Sequence, residues 1–284
     1  MSDLLTISAA QYHADPCPSP SLSSSIAKVL CNDSPRHAWT MHPKLNPNYE
    51  PEESGAFDLG TAAHDLLLQG DMNVVIIEAN DYRTKAAQEA RDAARAEGKN
   101  PLLSKVWGDV QAMAKAARTQ LDAMKDRPIL FTEGRAEHTL TWQEENGVWC
   151  RARLDWLRDD LAAIDDLKTT STTANPEAIS RTLFGNGYDL QAAFYLRGLK
   201  AVTGHDSIFR FAFVETYPPF ATSVVALSPG ALLLAEKKCL YAIEEWGKCL
   251  ESDKWPAYPQ RTCYADLPTW VESAWLTKES GGTL

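Results

Sequence analysis

The sequence predicts an α/β protein, a mixed β-sheet flanked by helices with a mostly helical region ahead of it. Three observations carry this. Up to about residue 128 the apolar residues recur mainly at helical spacing; from Ile129 to Leu167 they alternate or run in short stretches between turn residues; beyond that come a helix, two short apolar stretches and a long helix. The 284 residues, 44% hydrophobic, suffice for one large domain or for a core carrying a helical attachment. The expected divisions are a helical region over 1–128, a core over 129–255 and a tail over 256–284 that packs on the body.

In order, Ser21 to Trp39 reads as a short helix, with a capping serine before an apolar-periodic stretch and Pro35 as its stop. The Pro-, Asn- and Glu-rich stretch 42–55 is an exposed loop, and Phe57 to Gln69 a second helix closed by Gly70. MNVVII has the β-branched run of a strand. Thr84 to Glu97 is an Ala-rich, charged helix, and Leu103, Val106, Val110, Met113, Ala117, Leu121 and Met124 mark a core-facing stripe on the next. Glu137 to Trp142, Val148 to Trp156 and Leu161 to Leu167, separated by turns at 144–147 and 158–160, describe an antiparallel meander. A helix over Tyr188 to Val202, strands near 208–215 and 221–227, and a helix capped by Ser228, with Pro229 at its first position, complete the chain to about Leu250.

The sequence has no apolar run of about 18 residues and no basic start followed by an apolar stretch, so a membrane span and a secretory signal are not expected and a cytoplasmic location is. Six scattered cysteines without a C-x-x-C pair point to reduced thiols, and no iron-sulfur cluster is expected. A net charge of −10 is unfavourable for nucleic-acid binding, which usually leaves a basic footprint. Carboxylates gathered for a metal, and a basic groove within an acidic exterior, would reconcile the two.

The chemistry concentrates between Asp155 and Lys168. Asp155 ends one predicted strand and Asp166 and Lys168 end the next, joined by a tight turn that lays the strand ends side by side. Asp166 and Lys168 are two apart, so they share a strand face, while Asp165 points the other way and should not reach a metal. Two carboxylates and an ammonium so placed fit metal-assisted phosphodiester hydrolysis, which needs rigid hard-oxygen ligands and a basic group near the attacking water. Arg153 faces with Asp155, as a phosphate contact or as the partner of a carboxylate. Gln191 and Tyr195, one helical turn apart, form a polar stripe on an apolar helix. Arg36, Arg181, Arg197 and Lys200 are candidate DNA-groove residues.

E-H-T-L-T-W at 137–142, R-x-D at 153–155, I-D-D-L-K-T-T at 164–170 and Y-D-L-Q-A-A-F-Y at 188–195 occur in this order. G-T-A-A-H at 60–64, an S-x-S near Ser23 and K-W-P-A-Y near Trp255 accompany them. Together they resemble the RecB-type branch of the PD-(D/E)XK nucleases, most closely the nuclease domain of exonuclease VIII (RecE) and its phage-borne relatives. The resemblance implies that His64, Asp155, Asp166 and the backbone carbonyl of Leu167 hold Mg²⁺, with Mn²⁺ as a substitute, and that Lys168 orients or activates the attacking water. It gives Glu137 an outer-shell water or a second metal, and turns Gln191 and Tyr195 toward the DNA backbone or Lys168. It implies 5′ to 3′ digestion of linear double-stranded DNA from its ends, a RecT-type annealing protein as partner, and a homo-oligomeric ring. Another nuclease of the superfamily, either an endonuclease or a single-strand exonuclease beside a helicase or CRISPR adaptation complex, and an inactive DNA-binding scaffold share the motifs.

Overall fold

The computed structural model describes residues 3–50, 59–69, 74–97 and 99–280. In chain order the elements are β1 (Asp3–Leu5), α1 (Ala9–His13), β2 (Leu22–Ser23), α2 (Ser24–Asn32), α3 (Pro35–Thr40), α4 (Leu59–Gln69), β3 (Val74–Ile77), α5 (Lys85–Ala96), β4 (Asn100–Leu103), α6 (Ser104–Asp122), β5 (Gly134–Gln143), β6 (Trp149–Arg158), β7 (Ala163–Thr170), α7 (Ser180–Gly185), α8 (Tyr188–Thr203), β8 (Ile208–Glu215), β9 (Thr222–Val225), α9 (Pro229–Ser252) and α10 (Thr269–Glu279).

The main sheet has the order β1-β5-β6-β7-β8-β9, with β2 paired to β6. All neighbours are antiparallel except β7 with β8 and β2 with β6. The expected α/β fold is therefore present, as a mostly antiparallel sheet between helices. One face packs on α2, α8 and α9 through Trp142, Leu154, Phe194, Phe211 and Trp246. The other packs on α4 and α6 through Ala62, Ala63, Val110, Met113, Leu167 and Val214. The first 128 residues supply two strands of this sheet as well as helices, and β3 and β4 form a separate parallel pair.

The expected caps hold at most helix starts. The Ser23, Thr84 and Ser228 side chains accept hydrogen bonds from the amides of Ile26, Ala87 and Ala231. Pro35 is a correction: it does not simply stop a helix but opens α3 as its first residue, with Ser34 as the cap, because a proline at that position lacks only an amide the helix would leave unpaired anyway. The calls on Phe57, Asp58 and Gly70, and on Met72 and Asn73 ahead of β3, lie outside the described residues. A second correction concerns the tail. Beyond Pro256 the chain is exposed to Ser280 apart from half-buried Val271 and Ala274, and α10 buries no residue. Contact with the body is made at its start, where the Arg36 amide donates to the Pro256 carbonyl and the rings of His37 and Tyr258 meet. Among the described residues no helix is long and apolar enough to cross a membrane.

A candidate metal centre at a gap in the sheet

Strands β6 and β7 pair only at Trp156↔Asp165 and Leu157↔Ile164 and then part. Strand β7 continues along β8 as far as Thr170, and the vacated edge of β6 is taken by β2 at Cys150 and Arg151. The next pair in the β6–β7 register would have been Asp155 with Asp166. The missing ladder is replaced by a side chain: the Leu167 amide donates to Asp155 Oδ2 at 2.9 Å. On the other side of β6 the β5 ladder skips Glu137, which sits at φ +63°, a conformation that strains a residue with a β-carbon. The strained residue and both separated carboxylates border one gap.

Helix α4 reaches the gap from one face of the sheet and places His64 Nε2 3.3 Å from Asp155 Oδ2. One donor atom each from His64, Glu137 and Asp155 lies within 4.8 Å of the others, and among the described residues no other such group of histidine, cysteine and carboxylate side chains occurs. Glu137, expected to hold an outer-shell water or a second metal, thus lies close to His64 and Asp155. Asp166 enters from the opposite face, fully buried, with Lys168 Nζ 2.5 Å from Oδ1 and Gln191 Nε2 donating to Oδ2 at 2.8 Å. Its Oδ1 has no well-aligned donor. Lys168 lies over the Tyr188 ring, 5.0 Å from its centre. Buried Tyr195, one turn beyond Gln191 on α8, lies beside Ser24 at the start of α2.

The electrostatics are those of a carboxylate cluster short of positive charge. Burial and the neighbouring Asp155 push the Asp166 carboxyl up to about 7 despite Lys168. Burial would likewise raise Asp155, but the hydrogen bond with His64, the Lys168 charge and the Leu167 amide hold it low. Burial would depress the His64 imidazole; the carboxylates of Asp155 and Asp65, with Glu137 nearby, raise it to about 10 instead. A protonated His64 places its positive charge among these carboxylates. The carboxylates of Glu137 and Asp155 and the His64 imidazole within reach of one another, with buried Asp166 across the gap, fit a divalent cation with hard-oxygen preference.

Asp165 does face away, as its strand position predicts. It forms a buried two-pronged pair with Arg210, at 2.7 and 2.9 Å, and accepts the Phe131 amide. Arg153 is tied to Glu137 and to the Ile7 carbonyl. Arg197 and Lys200 are not at the gap: they pair with Glu144 and Asp206 and line a separate cavity. From Gln191 they lie about 240° and about 180° around α8, so the periodicity that puts Tyr195 at the site removes them from it. Arg36 is exposed over the Trp39 ring, and Arg181 is exposed on α7. Sequence reading missed Ser24 and Tyr188, both of which lie within motifs it singled out, and the β2 strand that fills the vacated edge.

No curated protein matches the chain. A crystal structure from Eubacterium rectale described as "Putative exonuclease" superposes with a TM-score of 0.60 at 14% identity, over 98% of this chain and 100% of that one. Another solved structure, SSO0001, matches 63% of this chain and 84% of its own at 12% identity, with a TM-score of 0.26 that carries no argument. The first likeness concerns the fold. Residues 23–267 match the family described as "PDDEXK-like domain of unknown function (DUF3799)". The matched span takes in strands β5 to β9 of the main sheet, the gap and every group that borders it, and the chain belongs to this PDDEXK-like family, within the PD-(D/E)XK superfamily.

Proposed function

We propose that the chain is a metal-dependent nuclease that digests linear double-stranded DNA from its 5′ ends and leaves 3′ single strands for an annealing protein of the RecT type. The observation that carries the nuclease reading is the convergence of Asp155, Asp166 and Lys168, with His64 and Glu137, on a gap between two strands of a PDDEXK-like sheet. The exonuclease description of the similar fold supports it. The finer direction, the RecE-like branch, a homo-oligomeric ring and a cytoplasmic setting rest on the motif resemblance.

The residues divide the work. Asp155, Asp166, Glu137 and His64 would hold Mg²⁺ or Mn²⁺. When bound, such a cation stabilises charge developing on the phosphate and eases deprotonation of water. In an extended strand the N–H and C=O of one residue project to the same edge, so the Leu167 carbonyl faces the gap with its amide and can join the ligands. Gln191 fixes the Asp166 carboxylate, and the Tyr188 ring and Asp166 hold the Lys168 ammonium where it can meet the scissile phosphate. Burial would depress the Lys168 ammonium, but the carboxylates of Asp166 and Asp155 raise it and keep it charged, as electrostatic stabilisation of a transition state requires.

The test uses end-labelled linear duplex, with and without a 5′-phosphate, against closed circular duplex, in Mg²⁺ and in excess chelator. Metal-dependent loss of the linear duplex from 5′ ends, with circles intact, is expected. Cleavage of circles would make it an endonuclease, and inertness toward all substrates a DNA-binding scaffold.

A further inference from the structure

Two apolar surfaces of this molecule lie uncovered, and each is suited to the other. The first is the C-terminal arm, where Tyr258, Tyr264, Leu267, Trp270, Trp275 and Leu276 are 55–93% exposed. On α10, Trp270, Val271, Ala274 and Trp275 fall on one helical face by their spacing. An isolated helix of 11 residues is marginal in water, so α10 needs a surface to pack on. The second is α9, whose solvent side carries Leu233 and Leu234 and, two turns later, Leu240 and Tyr241, all exposed. Beside this ridge, between α8, α9 and the β5–β6 turn, lies a cavity of about 700 Å³ lined by Trp142, Leu196, Lys200, Leu232, Leu240 and Ile243. A smaller recess of about 320 Å³ flanks it at Tyr241 and Lys237.

We infer that the arm of one copy docks on the α9 ridge and cavity of a second copy. Area supports this: four aromatic side chains of roughly 150–250 Å² each, together with two leucines, approach the ~800 Å² per partner of a standard interface. Two different, complementary patches on one chain make a head-to-tail contact, which closes into a ring or a reciprocal dimer. The α9 surface shares no residue with the candidate metal centre. This inference specifies the contact for the proposed ring and rests on that assembly, not on the nuclease chemistry.

The experiment is sedimentation of the full chain across concentrations, with two variants at exposed positions that leave the core intact. Wild type should be multimeric. Trp270→Ser with Trp275→Ser in the arm, and Leu240→Arg on the ridge, should each weaken association by about 100-fold or more, as loss of aromatic or central apolar anchors does. Mixing the two variants should restore one contact and stop at two copies, since one keeps a working ridge and the other a working arm. A monomeric wild type would overturn both the contact and the ring. A multimer whose mass survives either variant, or a mixture that stays monomeric, would overturn the arm contact and leave the ring standing.

Discussion

Burial raises the carboxyls of both Asp165 and Asp166, and their partners differ. Arg210 meets Asp165 with a matched guanidinium fork, so removing the carboxylate strands a buried cation. The strand alternation that assigns Asp165 to the far face is read from sequence; its pairing with an arginine 45 residues away is not, and a purely sequence-based view would make Asp165→Ala harmless. We expect Asp165→Ala to destabilise the protein by about 3–5 kcal/mol, measured by denaturant unfolding. Asp166 meets no such fork. Its folded-state carboxyl is raised to about 7, so between the ordinary carboxylate range and pH 7 the folded chain binds more protons than the unfolded one, and stability falls as pH rises. Asp166→Asn removes that cost. The metal-free variant should melt higher than wild type at pH 8, should lose this advantage near pH 4, and should have no nuclease activity. A variant that melts lower at pH 8 would show that Asp166 contributes stability where it is here expected to cost it.

At the scale of elements, what the sequence shows depends on length and on period. Strands β5, β6 and β7 run eight to ten residues and announce themselves by alternation, as α6, α8 and α9 do by helical spacing. Strand β2 has two residues and β1 three, too few for a period, and they are strands because the edges of β6 and β5 accept them. The parting of β6 from β7 is equally silent, since Asp155 and Asp166 are ordinary strand-end residues until the ladder between them fails. Helix α8 shows how packing reverses a propensity. Alanine is normally favoured over glycine inside a helix by about 1 kcal/mol. At Gly198, however, a β-carbon would lie 2.5 Å from the fully buried Trp142 ring, which would have to shift. Gly198→Ala should therefore destabilise by about 1–3 kcal/mol in thermal or denaturant unfolding, opposite in sign to the helix propensity.

On the scale of the whole molecule, the N-terminal segment is fastened to the sheet by a buried polar cluster. Asp15 accepts from the amides of Cys17 and Ser21 and from the Ser21 hydroxyl, and meets His42 Nε2 at 3.2 Å. Arg151 donates to the Ser21 carbonyl at 2.7 Å and approaches Asp15. Burial would raise the Asp15 carboxyl, but His42, Arg151 and Ser21 bring it down to about 2. A depressed carboxylate stabilises fully above its unfolded value and is lost as pH falls through the folded one. About 2 kcal/mol should thus disappear between pH 4 and pH 2, and Asp15→Asn should flatten the stability profile across that window.

That fastening sets when the metal centre can exist. Strand β2 must be laid beside β6, and Ser24 against Tyr195, before the gap has its walls. The groups that border it are drawn from positions 24 to 195, and no shorter stretch of the chain contains them all. A ribosome makes the first of these groups long before the last. While α8 is still inside the exit tunnel, the emerging chain has carboxylates but no enclosed centre. Competence at the proposed site therefore waits for α8, as a by-product of topology.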